Sequence, residues 1–244
     1  MKKLGFTVPF AVSALLLSVL PQTAAHASPT GTAVLQQCEN TDPMGKYNPV
    51  TCYVQHMQAG LDALKRRDWH KVFAEESDAI TLLGSYPELN SRLGGHPLFL
   101  AAPYLARAAA DANLKQNDLA ISDSTSAVTL DPDDALPLTN RCVFRAFFGE
   151  LTDALRDCAQ ARKLAPNTLY PLDASGFVYL KMKNYAESVT FYAAALKIRP
   201  DHASSLYGLG LAEQAQQNQA AGGQHIAAAE QIDPDISTNF APSP

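Results

Sequence analysis

Small and apolar positions return along this chain with a period of 34 residues, and proline marks the period: Pro132, Pro166, Pro200 and Pro234 are evenly spaced. Five residues before each stands an alanine, Ala127, Ala161, Ala195 and Ala229. Twelve before, the residue is small each time (Ala120, Ala154, Ser188, Gly222), and twenty-four before it is small again (Ala108, Cys142, Gly176, Gly210). Turn signals divide each period: Gln116-Asn117-Asp118, Gly149-Glu150, Lys183-Asn184 and Gln217-Asn218. A repeat of this length is one supersecondary unit. The pattern predicts two antiparallel helices per unit, with small residues where the backbones cross and large ones filling the gaps beside them. The closing proline follows the second helix, because it cannot continue one and restricts the residue before it. A single pair cannot bury its apolar face, so stacking of neighbouring pairs supplies the core.

In its period, its small-residue columns and its closing prolines the chain resembles the tetratricopeptide repeat family. The resemblance covers residues 101–234 and extends upstream through Gly60, Leu64, Asp68, Trp69, Val72 and Ala79. It implies an all-α protein, a right-handed α-solenoid of antiparallel helix pairs with about four to five repeats. The expected layout is an irregular segment over 28–52, a degenerate pair over 53–84, an insertion over 85–100, four units (101–134, 135–168, 169–202, 203–236) and a flexible tail over 237–244. The large aromatic expected early in the first helix stands only at Tyr104, with Leu138, Leu172 and Leu206 in later units. No polar covering helix follows Pro234. Either the last pair is polar enough by itself, through Gln217, Gln219, Gln224 and Gln231, or it docks on something.

The resemblance also places a partner. In this family the first helix of each unit lines the concave face, and helical spacing then selects Leu136, Asn140, Val143 and Phe147, then Tyr170, Phe177 and Lys181, then Tyr207, Leu211 and Gln214. The family's clamp for a terminal carboxylate is not expected: Asn140 matches one of its positions, but its cationic places hold Thr139, Asp173 and Ala174. The remaining face is aromatic and aliphatic, suited to an amphipathic helix or an extended apolar segment. The alternative is that these side chains pack between neighbouring units as core.

Four cysteines, Cys38, Cys52, Cys142 and Cys158, favour disulfides in an exported chain. Cys142 and Cys158 lie on the two helices of one unit, 16 residues apart across its turn, where antiparallel packing brings them level. Cys38 and Cys52 flank a loop with Pro43, Gly45 and Pro49, and their bridge would tie the N-terminal segment to the first pair. Buried free thiols acting as small apolar residues are the alternative. Arg107 and Arg141 stand 34 apart, as equivalents one residue before the tight crossing, and pairing between units is expected to join Arg107 to Glu75 and Arg141 to Asp123. An anion-binding cluster is the other reading of these arginines.

Candidate chemistry narrows the picture further. Cys52 and His56 face one way on a helix, but the four ligands of a structural zinc site are missing, so no metal is expected. Nucleophile elbows, phosphate loops and strand patterns are lacking, which argues against an enzyme and against a cofactor. The start of the chain reads as a secretory signal: Lys2 and Lys3, an apolar run over 8–20, Pro21, then Ala25-His26-Ala27 with cleavage expected between Ala27 and Ser28. That run of about 13 residues is short of the roughly 20 needed to span a bilayer, so the mature chain is not expected to insert. The destination is the periplasm of a two-membrane bacterium, or secretion from another host. Net charge is −5, and loss of the two lysines takes it to about −7, which disfavours nucleic acid. The function expected is a scaffold or adaptor that binds a protein or peptide. Self-assembly into a homo-oligomer through the uncovered last repeat is the second reading.

Overall fold

The computed structural model describes Leu35, Cys38 and residues 48–240; the expected signal segment and its cleavage point lie outside the described residues, as do 241–244. Among the described residues are eleven α-helices, one 3-10 helix and no strand. None of these helices is long and apolar enough to cross a membrane. The chain divides into two compact units at Asp131 and Pro132, taken here in turn.

The first unit holds α1 (Pro49–Lys65), α2 (Trp69–Ser85), α3 (Leu89–Arg92), α4 (Pro97–Asn113) and α5 (Asn117–Leu130). Both long first helices begin earlier than the repeat pattern predicts, and for the same reason. Asn48 accepts a hydrogen bond from the Val50 N–H (3.1 Å) ahead of Pro49, and His96 Nδ1 accepts one from the Leu98 N–H (3.2 Å) ahead of Pro97. Proline is tolerated in a first turn because its missing N–H is not needed there. The early start leaves Pro103 in the interior of α4, whereas its repeat equivalents Pro137 and Pro171 fall in first turns. The expected insertion is not structureless: α3 buries Leu89 completely, and Gly94 and Gly95, at φ +91° and +71°, swing the chain into α4.

The second unit holds α6 (Ala135–Phe148), α7 (Leu151–Leu164), α8 (Leu169–Lys181), α9 (Tyr185–Ile198), α10 (Ala203–Ala215), α11 (Gln219–Ile232) and a 3-10 turn (Ile236–Asn239). Its core joins Cys142, Val143, Cys158, Phe177, Val178, Tyr192 and Leu209. The turn between paired helices needs one left-handed residue, and the position recurs every 34 residues at Lys115, Gly149, Lys183 and Gln217. Only Gly149 is the residue type that takes this conformation without cost.

One register governs the pairs of both units: residue i of a first helix faces residue i+16 of the second. In the first unit it brings Gly60 against Glu76 and Arg107 against Asp123. In the second it brings Cys142 to Cys158, Arg141 to Asp157, Gly176 to Tyr192 and Gly210 to Ile226. One turn away, at i+12, backbones meet: Ser188 Oγ donates to the Gly176 carbonyl (2.9 Å), and a Cβ on Gly210 would stand 2.7 Å from the Gly222 carbonyl oxygen. The small columns of the sequence are therefore helix crossings.

The start of the expected tail falls in the 3-10 turn Ile236–Asn239, and 241–244 lie outside the described residues. Ile236 (2% exposed) packs on Leu206 and Ala229 of the last pair, and Phe240 packs against the same cluster.

Candidate functional site

A row of aromatic rings runs along one face of α6, α8 and α10 in the second unit. Phe147 and Phe148 meet edge to face at 5.5 Å. The Lys181 ammonium lies 5.4 Å from the Phe147 ring and 5.4 Å from the Phe177 ring. Phe240, delivered by the 3-10 turn, packs edge-on against Phe177 at 5.7 Å and tilted against Tyr207 at 5.0 Å. Farther along, Tyr170 meets the His202 ring at 6.2 Å.

The expected groove residues divide on this face. Leu136, Phe147, Tyr170, Tyr207 and Leu211 are half-buried, while Asn140, Val143 and Phe177 are buried. Phe177 (7% exposed) belongs to the core. Asn140 is 3% exposed, so the one polar anchor drawn from the carboxylate-clamp comparison lies inside the packing. Gly176 and Gly208 leave no side chain of their own where Tyr192 passes, which lets the interior fill from α9.

Lys181 is the polar element of this row. Burial lowers its ammonium pKa from the usual lysine range, and among the described residues no carboxylate pairs with it. Two ring faces partly replace its water, and such cation–π contacts each stabilise it by roughly 0.5–2 kcal/mol. Eight residues earlier on α8, Asp173 accepts hydrogen bonds from Ser204 Oγ (3.0 Å) and Ser205 Oγ (2.6 Å). Asp173 occupies a place where the family clamp would carry a cation, and it is used up in packing α8 to α10.

The arginines pair otherwise than expected. Arg107 binds Asp123 through Nε (2.6 Å) and Nη2 (2.9 Å), not Glu75, and Arg141 binds Asp157 (2.8 Å through each nitrogen), not Asp123. The i+16 register sets each aspartate opposite the arginine of its own pair, and the planar guanidinium takes it bidentately. Arg107 reaches the preceding pair through the Ser77 hydroxyl (3.3 Å) and the Phe73 ring (5.9 Å). Glu75 bonds His56 Nδ1 instead (2.8 Å).

The first unit buries more acid than base. Glu75, Glu76, Asp78, Asp111 and Asp123 are all buried, facing chiefly Arg107 and His56. Burial, then the charge of Glu75, push Glu76 well above the usual carboxylate range, with Arg107 opposing. Burial first and Asp123 second lift Asp111 to about 7.

Both cysteine pairs are bridged, with Cα atoms 5.8 Å apart for Cys38–Cys52 and 5.4 Å for Cys142–Cys158. Ligand atoms of Cys38, Cys52 and His56 lie within 4.8 Å of one another. While the bridge is intact neither sulfur is a thiolate, the form that binds metal, so the trio is structural as it stands.

The residue that sequence reasoning missed is Phe240. Its signal was the spacing of Ile236 and Phe240, the only large apolar side chains after Ile232, set four apart so that one anchors while the other reaches the face.

Comparison with known proteins agrees with this architecture. A family model described as tetratricopeptide repeat matches residues 173–202. No curated protein matches by sequence. Among solved structures, MamA 41-end from Desulfovibrio magneticus RS-1 superposes with a TM-score of 0.52 at 14% identity, covering 77% of this chain and 96% of that one. Another MamA structure superposes with a TM-score of 0.51 at 16% identity, covering 80% and 98%. At these identities the likeness concerns the fold alone.

Proposed function

The chain is a tetratricopeptide-repeat protein, and from that premise we propose that it is an exported interaction scaffold whose α6–α8–α10 face grips a short segment of a partner protein. The observation that carries this reading is Phe240: a short turn of this chain already lays an aromatic side chain between Phe177 and Tyr207. A surface that accepts one such residue in cis is shaped to accept one in trans. Aromatic anchors seated among other rings are the usual centres of binding energy at protein interfaces.

Export is supported by the signal-like start at Lys2–Ala27 and by the use of all four cysteines in bridges, which persist in oxidising compartments. No catalytic role is proposed. Self-association through the last repeat is the weaker reading, because Ile236 covers Leu206 and Ala229 of the final pair.

Capture from periplasmic extract or culture medium tests the proposal. The wild-type chain is compared with a Phe147→Ala, Tyr207→Ala variant, leaving the core residue Phe177 in place. A protein retained by the first and lost by the second supports the reading. Equal retention by both moves the binding surface elsewhere.

A further inference from the structure

We propose that Cys38, Cys52 and His56 become a metal site when their bridge is reduced, taking a thiophilic dication of the zinc class on two thiolates and one imidazole. All three residues belong to the first unit, so the site owes nothing to the α6–α8–α10 face. The two sulfurs and a ring nitrogen of His56 lie within 4.8 Å of one another. A tetrahedral zinc ion, with Zn–S of about 2.3 Å and Zn–N of about 2.0 Å, holds its ligand atoms roughly 3.5–3.8 Å apart. The three side chains are therefore gathered to nearly the size of such a site. Cys38 and Cys52 are buried, and the His56 side chain is 12% exposed. Cys52 and His56 stand one turn apart on the same face of α1.

The imidazole is already oriented for this role. Its Nδ1 lies 2.8 Å from Glu75 Oε2 and 3.9 Å from Asp78 Oδ2, both carboxylates buried on α2. Metal-binding histidines characteristically donate their other ring N–H to a carboxylate, which fixes tautomer and ring together. With a carboxylate as acceptor, Nδ1 is the donor and Nε2 carries the lone pair. The second oxygen of Glu75, Oε1, is buried without a hydrogen-bond partner, and the Lys71 ammonium stands 3.9 Å from it. Buried acid on this side favours a dication, and two thiolates there would be unfavourable without one. The Cys142–Cys158 bridge has no such setting: among the described residues, no histidine or acid joins its sulfurs in a ligand cluster.

Bridge and metal exclude each other. Reduction passes two electrons and two protons from a dithiol to the bridge, giving two cysteine thiols and the dithiol's own disulfide. Zn2+ then displaces the two thiol protons, because the thiolate is the ligand, and a fourth position is left to water. The ion joins the same two residues as the bridge, so Cys38 stays tied to α1 in either form. In an oxidising compartment the bridge is the resting state, and metal uptake follows its reduction.

The test uses the full chain, reduced with a phosphine and titrated with Co2+ alone as a coloured stand-in for zinc. Reduced wild type is expected to show the charge-transfer band of a cobalt thiolate and the intense d–d bands of a tetrahedral ion, both bleached by Zn2+. The oxidised protein is expected to show neither. Cys38→Ser and His56→Gln are expected to lose the tetrahedral spectrum. Glu75→Gln is expected to keep it while weakening affinity about 10–100-fold. A reduced wild type without the thiolate band, or a band that follows Cys142 and Cys158 instead of Cys38, overturns the proposal. Melting distinguishes a folded site from capture by unfolded chain, because only binding to the native state raises the melting temperature. Zn2+ is expected to raise it for reduced wild type and not for reduced His56→Gln; metal binding without that difference also overturns the proposal.

Discussion

The ring of Tyr192 on α9 occupies the space that a side chain on Gly176 of α8 would need. A Cβ at Gly176 would stand 2.8 Å from two of its ring carbons, and the hydroxyl end of the same ring lies over Gly208 of α10. Tyr192 is wholly buried. Gly176→Ala is therefore expected to lower stability by about 1–3 kcal/mol through overpacking, read as a shifted urea midpoint at unchanged slope. Adding Tyr192→Leu is expected to return part of that loss by making room for the new methyl.

The same register carries the Cys142–Cys158 bridge, which ties α6 to α7 across the turn at Gly149. Closing a loop of this size stabilises by about 3 kcal/mol in the chain-entropy model. The Cys142→Ala, Cys158→Ala double variant is expected to melt lower than wild type, and a reducing agent to shift it less than it shifts wild type. Calorimetry of both proteins, with and without reductant, checks this.

The two arginine–aspartate pairs are alike in geometry but not in what surrounds them. Asp157 also accepts from Arg145 Nη1 (2.6 Å), while Asp123 has Arg107 as its cation. Arg107→Ala strands a buried carboxylate beside the already crowded Asp111, and is expected to cost about 3–5 kcal/mol. Arg141→Ala leaves Asp157 paired and is expected to cost clearly less. Denaturation midpoints of the two variants, measured side by side, decide the order.

Asp111 gives the first unit a pH dependence of definite sign. Burial, with the Asp123 charge, raises its carboxyl to about 7, against about 3.9 in an unfolded chain. Between those values the folded state keeps a proton that the unfolded state has released, so this contribution to stability is complete below about pH 4 and is lost as pH rises through 7. Glu76, also raised, acts in the same direction. Asp111→Asn is expected to match wild type near pH 4 and to become progressively more stable than wild type up to neutral pH. A difference that stays flat from pH 4 to 7.5 would contradict the assignment.

Much of the fold was legible because it repeats. The prolines locate helix ends, and the small residues at Cys142, Gly176 and Gly210 locate crossings, because only small side chains let backbones meet. The arginine partners were misread for a reason visible in hindsight. The 16-residue relation that brings Cys142 to Cys158 also brings Arg141 to Asp157, but periodicity aligns Arg107 with Arg141 without saying which aspartate each faces. Tertiary packing, not spacing along one helix, decided between Asp123 and Glu75. The candidate face was legible as a stripe of rings, yet spacing alone did not separate half-buried Tyr207 from buried Phe177 and Asn140. Phe240 escaped because it lies beyond the last repeat, where no equivalent residue marks it.

The most direct test of the account is photo-crosslinking on the face itself. A benzoyl-phenylalanine is placed at Leu211, half-buried on α10, and in a second protein at Leu119, 51% exposed on α5. After irradiation in the exporting cell, the account predicts a defined protein adduct from position 211 that disappears with Phe147→Ala and Tyr207→Ala, and none from position 119. Adducts from 119 alone, or adducts from 211 that persist in the double variant, would contradict a partner held by the α6–α8–α10 face.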